Sequence, residues 1–246
     1  MPPSSLTCSI HGILIVDKPK DWTSHDVCAF VRKRFKLSKV GHAGTLDPLA
    51  TGVLVLLLGR ATKQSIELTS CDKDYFGVME LGVQTDSHDR MGKVLQTAPW
   101  ELVTLEVIRQ KALEFTGDII QVPPMVSALK HQGVRLYKLA RQGQVVPREG
   151  RRVTVHQFTM DKKEGPFVHF HARVSKGTYL RTLVNDLGDR LNCLATLADL
   201  RRIRCGQFSL QGSVTIETLK QFNLQELREK VHPLRSVFSY AYSDRP

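Results

Sequence analysis

Residues 52–58 read GVLVLLL, an apolar run with no polar interruption. A run of this length, rich in branched side chains and bounded by glycines, reads as a buried strand, so the rest of the chain must supply the layers that cover it. The residues leading into it, GHAGTLDPLAT, place an acid, Asp47, in a turn framed by Gly44 and Pro48. A carboxylate there can be held rigidly at the edge of a core. Spacing alone leaves two roles open, turn-former or cap and catalytic acid. A phosphate cradle is excluded, because neither G-x-x-x-x-G-K-[ST] nor G-x-G-x-x-G occurs and an acid in mid-loop would repel a phosphate.

The flanking segments mix strand and helix. GILIVDKP is a short apolar run closed by a proline turn, which predicts a strand. TSHDVCAFVRKRF offers Ser24 as an N-cap, with Val27, Phe30, Val31 and Phe35 at helical spacing. DYFGVMELG predicts another strand, and residues 104–116 a helix through Leu105, Ile108, Ala112 and Phe115. RRVTVHQFTM and FVHFHARVS alternate in part as strands do, whereas YLRTLVNDLGDRL repeats Leu180, Leu183, Val184, Leu187 and Leu191 at helical spacing. The pattern predicts an α+β fold with few βαβ units. Residues 121–152 fit it poorly, since VPPM, HQG, RQGQ and REG scatter turn signals through them.

Charge narrows the partners. The 246 residues carry 35 Lys and Arg against 24 Asp and Glu, a formal net charge of +11, and such an excess favours a polyanion. The excess is local: residues 28–46 hold Arg32, Lys33, Arg34, Lys36 and Lys39 with no acid. Residues 130–152 hold Lys130, Arg135, Lys138, Arg141, Arg148, Arg151 and Arg152 against Glu149 alone. With RRIR at 201–204 these runs point to nucleic acid, and the insertion reads as a nucleic-acid-gripping loop. Neither long run is an amphipathic helix with an aromatic opposing face, which disfavours a membrane surface. No apolar run approaches the ~18 residues of a membrane span. MPPSSLTCSI matches no secretory or transit leader, so the expected compartment is cytoplasmic. The five cysteines show no C-x-x-C spacing, which predicts reduced structural thiols and no zinc cage.

GHAGTLDPLATG matches the signature G-H-x-G-x-L-D-P-x-A-x-G, and on it the chain resembles the TruB family of pseudouridine synthases. The likeness extends through GILIVDKPKDWTS, DKDYFGVMELGVQTDSHDRMGKV, PPMVSALKHQGVRLYKLARQGQVVPREGRRVTV, SKGTYLRTLVNDLG and LADLRRIRCGQF. Ordered matches over about 200 residues carry far more weight than one short motif. The resemblance implies the pseudouridine synthase fold, a mixed, largely antiparallel central sheet flanked by helices. It also implies the reaction: a uridine in the T-loop of tRNA, position 55, becomes pseudouridine by base flipping, cleavage of the C1′–N1 bond and reattachment at C5.

The resemblance likewise implies roles for individual residues. Asp47 is the catalytic aspartate, acting on the sugar as a nucleophile or through a glycal-like route. Arg181 is its partner, a guanidinium that orients it and keeps it ionised. Tyr75 stacks on the target uracil, where stacking contributes about 1–3 kcal/mol toward extracting the base. His42 fills space left by the flipped nucleotide, Tyr179 and Leu200 line the uracil pocket, Lys18 and Pro19 support the catalytic loop, and Lys130 lies in the RNA-binding insertion. No cofactor or metal is implied. His169-x-His171 has no third ligand nearby and reads as an outward strand face, and TDSHDRMG, with Asp86 and Asp89, is too short for a calcium loop.

The organisation expected is a catalytic domain over 1–232, containing the basic insertion at about 121–152, and a short tail over 233–246 without the PUA domain common in the family. A stand-alone monomer acting on the tRNA T-arm, without guide RNA or protein partner, is the expected form. A competing class is a non-catalytic tRNA-binding module that acts as a folding chaperone. Carboxylate-based sugar hydrolysis would need a second positioned acid.

Overall fold

The structure, a computed structural model, describes residues 10–127 and 129–234. In chain order they form β1 (Gly12–Lys18), α1 (Ser24–Arg34), β2 (Val40–Ala43), β3 (Thr51–Leu58), a 3₁₀ turn (Gly59–Gln64), α2 (Ser65–Thr69), β4 (Lys73–Leu81), β5 (Val83–Thr85), β6 (Val94–Thr97), α3 (Leu105–Leu113) and β7 (Gly117–Gln121). There come next β8 (Lys130–His131), β9 (Val134–Arg135), α4 (Leu136–Arg141), β10 (Arg151–Glu164), β11 (Phe167–Val174), α5 (Leu180–Arg190), β12 (Ala195–Cys205), β13 (Phe208–Ser209), β14 (Val214–Thr215), α6 (Ile216–Gln221) and α7 (Leu224–Lys230). They divide into two compact units, one built from residues up to 73 and from 201 onward, the other from 74–200.

In the first unit the apolar run becomes β3, and every residue from Gly52 to Leu58 is buried. It pairs antiparallel with β1, from Gly12↔Leu58 to Lys18↔Gly52, and with β2, from Val40↔Leu58 to Ala43↔Val55. The end of β12 joins it in parallel at Arg201↔Thr51 and Arg202↔Gly52, and β14 lies parallel to β1, which makes the sheet mixed. Ile13, Ile15, Val53, Val55 and Leu57 form a core with Ala43, Ala61 and Cys205. Fully burying an aliphatic side chain of this size contributes about 1.5–3 kcal/mol, so the run holds the unit's sheet together.

The second unit orders its strands β4, β11, β10, β7. β10 pairs antiparallel with both β11 and β7. Phe158 and Phe170 pack edge to face between β10 and β11, at a centroid distance of 5.4 Å. The apolar stripe of α5 is realised: Leu180, Leu183, Val184 and Leu187 are all buried.

Three expectations need correction. Thr23, not Ser24, caps α1: its hydroxyl accepts from the Asp26 N–H while the Asp26 carboxylate accepts from the Thr23 N–H, a complete capping box. Residues 121–152 are not irregular throughout, because a tight β8–β9 hairpin and α4 lie within them. RRIR is not a surface patch as a whole: Arg202 is 1% exposed, and Arg201 pairs with Asp17 at 2.7 Å. It sits on an 11-residue strand that charged positions hide from a search for apolar alternation. From residue 235 onward the tail lies outside the described residues. No helix among the described residues is long and apolar enough to cross a membrane.

Candidate active site

Asp47 stands in the loop between β2 and β3, and the sequence of that loop explains its shape. Asp at the first and Pro at the second position favour a type I turn, and the Ala50 N–H donates to the Asp47 carbonyl at 3.1 Å. The residues on either side are tied down. Leu46 exchanges two hydrogen bonds with one hydroxyl: its N–H donates to Ser24 Oγ at 2.9 Å, and Ser24 Oγ donates to its carbonyl at 3.0 Å. The Pro48 carbonyl accepts from the Asp21 N–H at 2.9 Å and from Lys18 Nζ at 3.3 Å. Released from capping by Thr23, Ser24 is therefore a loop anchor.

Lys18 is wholly buried at the end of β1, and its ammonium also donates to the carbonyls of Pro19 at 2.8 Å and Trp22 at 2.6 Å. Burial lowers its pKa from 10.5 to about 8, while the nearby negative charges of Asp47 and Asp21 act in the opposite direction. The same ammonium fastens the backbone of the residue that follows Asp47.

Arg202 supports the same loop from inside, donating from Nε to the Val53 carbonyl at 2.7 Å and from a terminal nitrogen to the Gly44 carbonyl at 3.0 Å. Two glycines of the motif are required by this packing. Gly44 has φ +78°, and Gly52 has φ +101°, where a Cβ would collide with the Arg202 carbonyl oxygen. His42 lies on β2; its Nδ1 is buried, and burial first, then the positive charges of Arg202 and His25, hold its pKa below the usual imidazole value. It is a neutral, flat ring.

The second unit carries the other named residues. Arg181, in the first turn of α5, is 2% exposed. It donates to the carbonyls of Ser87 and Val126, each at 2.9 Å, and its Nε faces the Asp89 carboxylate at 3.7 Å. Asp89 is itself buried, accepting from Ser87 Oγ at 2.7 Å and the Met91 N–H at 3.0 Å. The segment TDSHDRMG thus cradles an arginine. His88 within it has φ +63°, and burial, with Arg181 and Arg148, lowers its pKa to about 4.

Tyr179 precedes α5 and is held by Gln121, whose Oε1 accepts from the Tyr179 N–H at 2.8 Å and whose Nε2 donates to its carbonyl at 3.2 Å. The Arg151 and Arg181 guanidinium carbons lie 5.1 and 5.9 Å from the Tyr179 ring centroid. Tyr75 on β4 and Leu200 on β12 are each 7% exposed. Lys130 is exposed on the β8–β9 hairpin, opposite Arg135. His169 pairs with Glu164 at 3.3 Å and His171 stacks on Phe76 at 5.0 Å, so the H-x-H spacing serves a strand face.

Within the first unit, then, Lys18 is brought to the Asp47 loop; within the second, Arg181 and Tyr179 are brought together. Ser24, Arg202, Asp89 and Gln121 are the contributors that spacing did not reveal. Their signal is burial of a polar group beside the backbone of the candidate site, which sequence does not display.

Comparison with known proteins bears on the family and the fold of the chain. The model of the TruB family pseudouridylate synthase N-terminal domain matches residues 32–180, and that of the tRNA pseudouridylate synthase B C-terminal domain matches 181–239. A tRNA pseudouridine synthase B from Opitutus terrae is 46% identical over 225 residues, covering 92% of this chain and 93% of the relative. One from Stutzerimonas stutzeri is 48% identical over 214 residues, covering 87% and 70%. Among solved structures, a chain from a Cbf5-Nop10-Gar1 complex superposes with a TM-score of 0.71 at 31% identity, covering 91% of this chain; this chain spans 60% of it. A fold of this class, an α+β pseudouridine synthase, is what the two units define. The chain belongs to the TruB family of pseudouridylate synthases.

Proposed function

We propose that the protein isomerises uridine 55 in the T-loop of tRNA to pseudouridine, with Asp47 as the catalytic carboxylate and Arg181 as its cationic partner. The observation that carries this reading is the anchoring of the Asp47 loop, with Leu46 held by Ser24 and Pro48 held by Lys18 and the Asp21 N–H. An ordinary surface turn needs no buried lysine and no dedicated serine. A carboxylate that must meet a ribose carbon does, because small misplacement of a reacting group costs a large factor in rate. The names of the curated relatives, tRNA pseudouridine synthase B, support tRNA as the substrate.

In this reading Asp47 either attacks C1′ directly or assists detachment of uracil and removal of the C2′ proton. Both routes break C1′–N1 and join C1′ to C5 of the turned base, and both need an ionised carboxylate. Tyr75 offers its ring to the flipped uracil, Tyr179 and Leu200 bound the pocket, and the neutral ring of His42 fills the gap in the T-loop. The basic insertion with Lys130 grips phosphates, so binding weakens steeply with salt. The reaction uses no cofactor, guide RNA or protein partner, and the enzyme acts as a monomer in the cytoplasm.

The test is tritium release from tRNA transcribed with 5-tritiated uridine, comparing the wild type with Asp47→Asn and mapping the modified nucleotide. Release by the wild type alone, with pseudouridine at position 55, is the expected result. A folded wild type that binds tRNA without release would replace this reading with the RNA-chaperone one, and equal release by both proteins would remove Asp47 from the chemistry.

A further inference from the structure

Two cysteines 134 residues apart in sequence meet in the first unit, with the sulfurs of Cys71 and Cys205 3.5 Å apart. Cys71, just before β4, is half-buried, and its S–H is also within 3.3 Å of the Leu68 carbonyl. Cys205, at the end of β12, is fully buried. The two backbones are joined beside the sulfurs, where the Gly206 N–H donates to the Asp72 carbonyl at 2.9 Å. That bond holds the segments in register, so an S–S bond of about 2.05 Å needs an approach of only about 1.5 Å. A Cβ on Gly206 would lie 3.0 Å from Cys71 Cβ, so the glycine leaves room for that side chain.

The surroundings favour a thiolate. Lys73 is buried, its ammonium donating to the carbonyls of Cys71 at 2.5 Å and Thr69 at 2.7 Å, and the Arg202 guanidinium is close by. The first proton to leave the pair does so below the usual thiol range, because the remaining S–H donates to the new thiolate, with Arg202 and Lys73 adding to it against burial; the second proton is held far above. By contrast, burial pushes the Cys28 thiol up to about 12 and that of Cys193 up to about 11.

We propose that Cys71 and Cys205 are an oxidation site, a thiol pair that a peroxide converts to an intramolecular disulfide. The thiolate attacks one peroxide oxygen: an S–O bond forms, the O–O bond breaks, and the departing oxygen takes a proton and leaves as water. The second sulfur then attacks the sulfenic sulfur: an S–S bond forms, the S–O bond breaks, and a second water leaves carrying the thiol proton. The two sulfurs together lose two electrons, and one hydrogen peroxide becomes two waters.

The position gives the bond a consequence. It would fasten the segment that carries Lys73, and a Cβ placed on Gly44 would lie 3.8 Å from Lys73 Cε and 3.5 Å from an Arg202 terminal nitrogen. Lys73, two residues from Cys71, thus links the pair to Gly44 at the start of the loop that carries Asp47, though the proposal does not depend on the role assigned to Asp47.

The test treats the full chain with hydrogen peroxide at low excess, alkylates the remaining thiols under denaturing conditions, and maps peptides by mass spectrometry without reduction. Cys8 lies outside the described residues, so a peptide map is preferable to a thiol count. The expected result is a Cys71–Cys205 cross-linked peptide about 2 Da below the sum of its reduced parts, one hydrogen lost from each sulfur, and removed by dithiothreitol. Cys71→Ser, at the half-buried position, is expected to remove the cross-link and leave Cys28 and Cys193 reduced. Independent alkylation of Cys71 and Cys205 after peroxide treatment, or their separate conversion to sulfinic acids, would overturn the proposal. So would a cross-link that joins either cysteine to Cys28, Cys193 or Cys8 in its place.

Discussion

Arg202 and Arg181 are both buried guanidinium groups, 1% and 2% exposed, yet the two units use them differently. Arg202 donates to the carbonyls of Val53 and Gly44, on the strand behind the Asp47 loop and at the loop's start. Arg181 donates to the carbonyls of Ser87 and Val126 and also faces the Asp89 carboxylate. The first arginine satisfies backbone that a glycine-rich loop would otherwise leave without partners. The second is aimed, its fork fixed by two carbonyls and a carboxylate on a helix whose own stripe is buried. Burial of an arginine thus goes with carbonyls of a loop and its strand in one unit and with carbonyls and a facing carboxylate in the other, and on the function proposed here the second is the working cation.

That distinction breaks if the two residues respond alike to substitution. Arg181→Lys keeps the charge but replaces a planar fork, whose separate nitrogens reach Ser87, Val126 and Asp89, with donors on a single nitrogen, so single-turnover pseudouridine formation should fall on the order of 10²-fold. Near wild-type turnover would show that only a charge is needed there. Arg202→Met withdraws a donor from the buried Val53 carbonyl and the half-buried Gly44 carbonyl, and should cost about 1–3 kcal/mol for the first and less for the second. Denaturant unfolding measures it, and an unchanged midpoint would mean that water replaces the guanidinium.

Smaller effects sharpen the picture of the loop. Ser24→Ala removes both bonds to Leu46, which should cost about 1–3 kcal/mol and lower kcat while leaving KM for tRNA in place. Its neighbour is the control: Thr23→Ala should cost about 1 kcal/mol through loss of the cap, with kcat unchanged. If both variants lose kcat equally, Ser24 acts only through α1. Finally, turnover should decline as pH rises through about 8, where Lys18 loses the charge that faces Asp47 and Asp21. The stability linkage runs the other way. Between about 8 and 10.5 the unfolded chain holds this proton more tightly than the folded one, so Lys18 opposes folding less as pH rises. Lys18→Met should show low turnover without that alkaline limb, and a limb that persists belongs to another group.

Much of the fold was readable because its elements are locally consistent. The run at 52–58 could only be covered on both faces, and the stripe of α5 and the alternation of β10 and β11 declare one buried side each. β12 was not readable, because its interior holds Arg202 where a periodicity search expects an apolar residue. Elements of two residues, such as β8 and β9, carry too little pattern to stand out among turn signals.

By itself the sequence determined the α+β class, the strand into which the Asp47 loop leads, the family, and the residues worth testing. These rest on local periodicity and on motifs whose spacing survives in one dimension. Only the tertiary structure decided that Ser24 anchors a loop while Thr23 caps the helix, that Lys18 reaches Asp47's loop through the Pro48 carbonyl and Arg202 through the Gly44 carbonyl, that Asp89 faces Arg181, and that Cys71 meets Cys205. The physical reason is common to all four. A buried polar group must find partners wherever the fold brings them, and those partners lie at separations that no sequence window encodes.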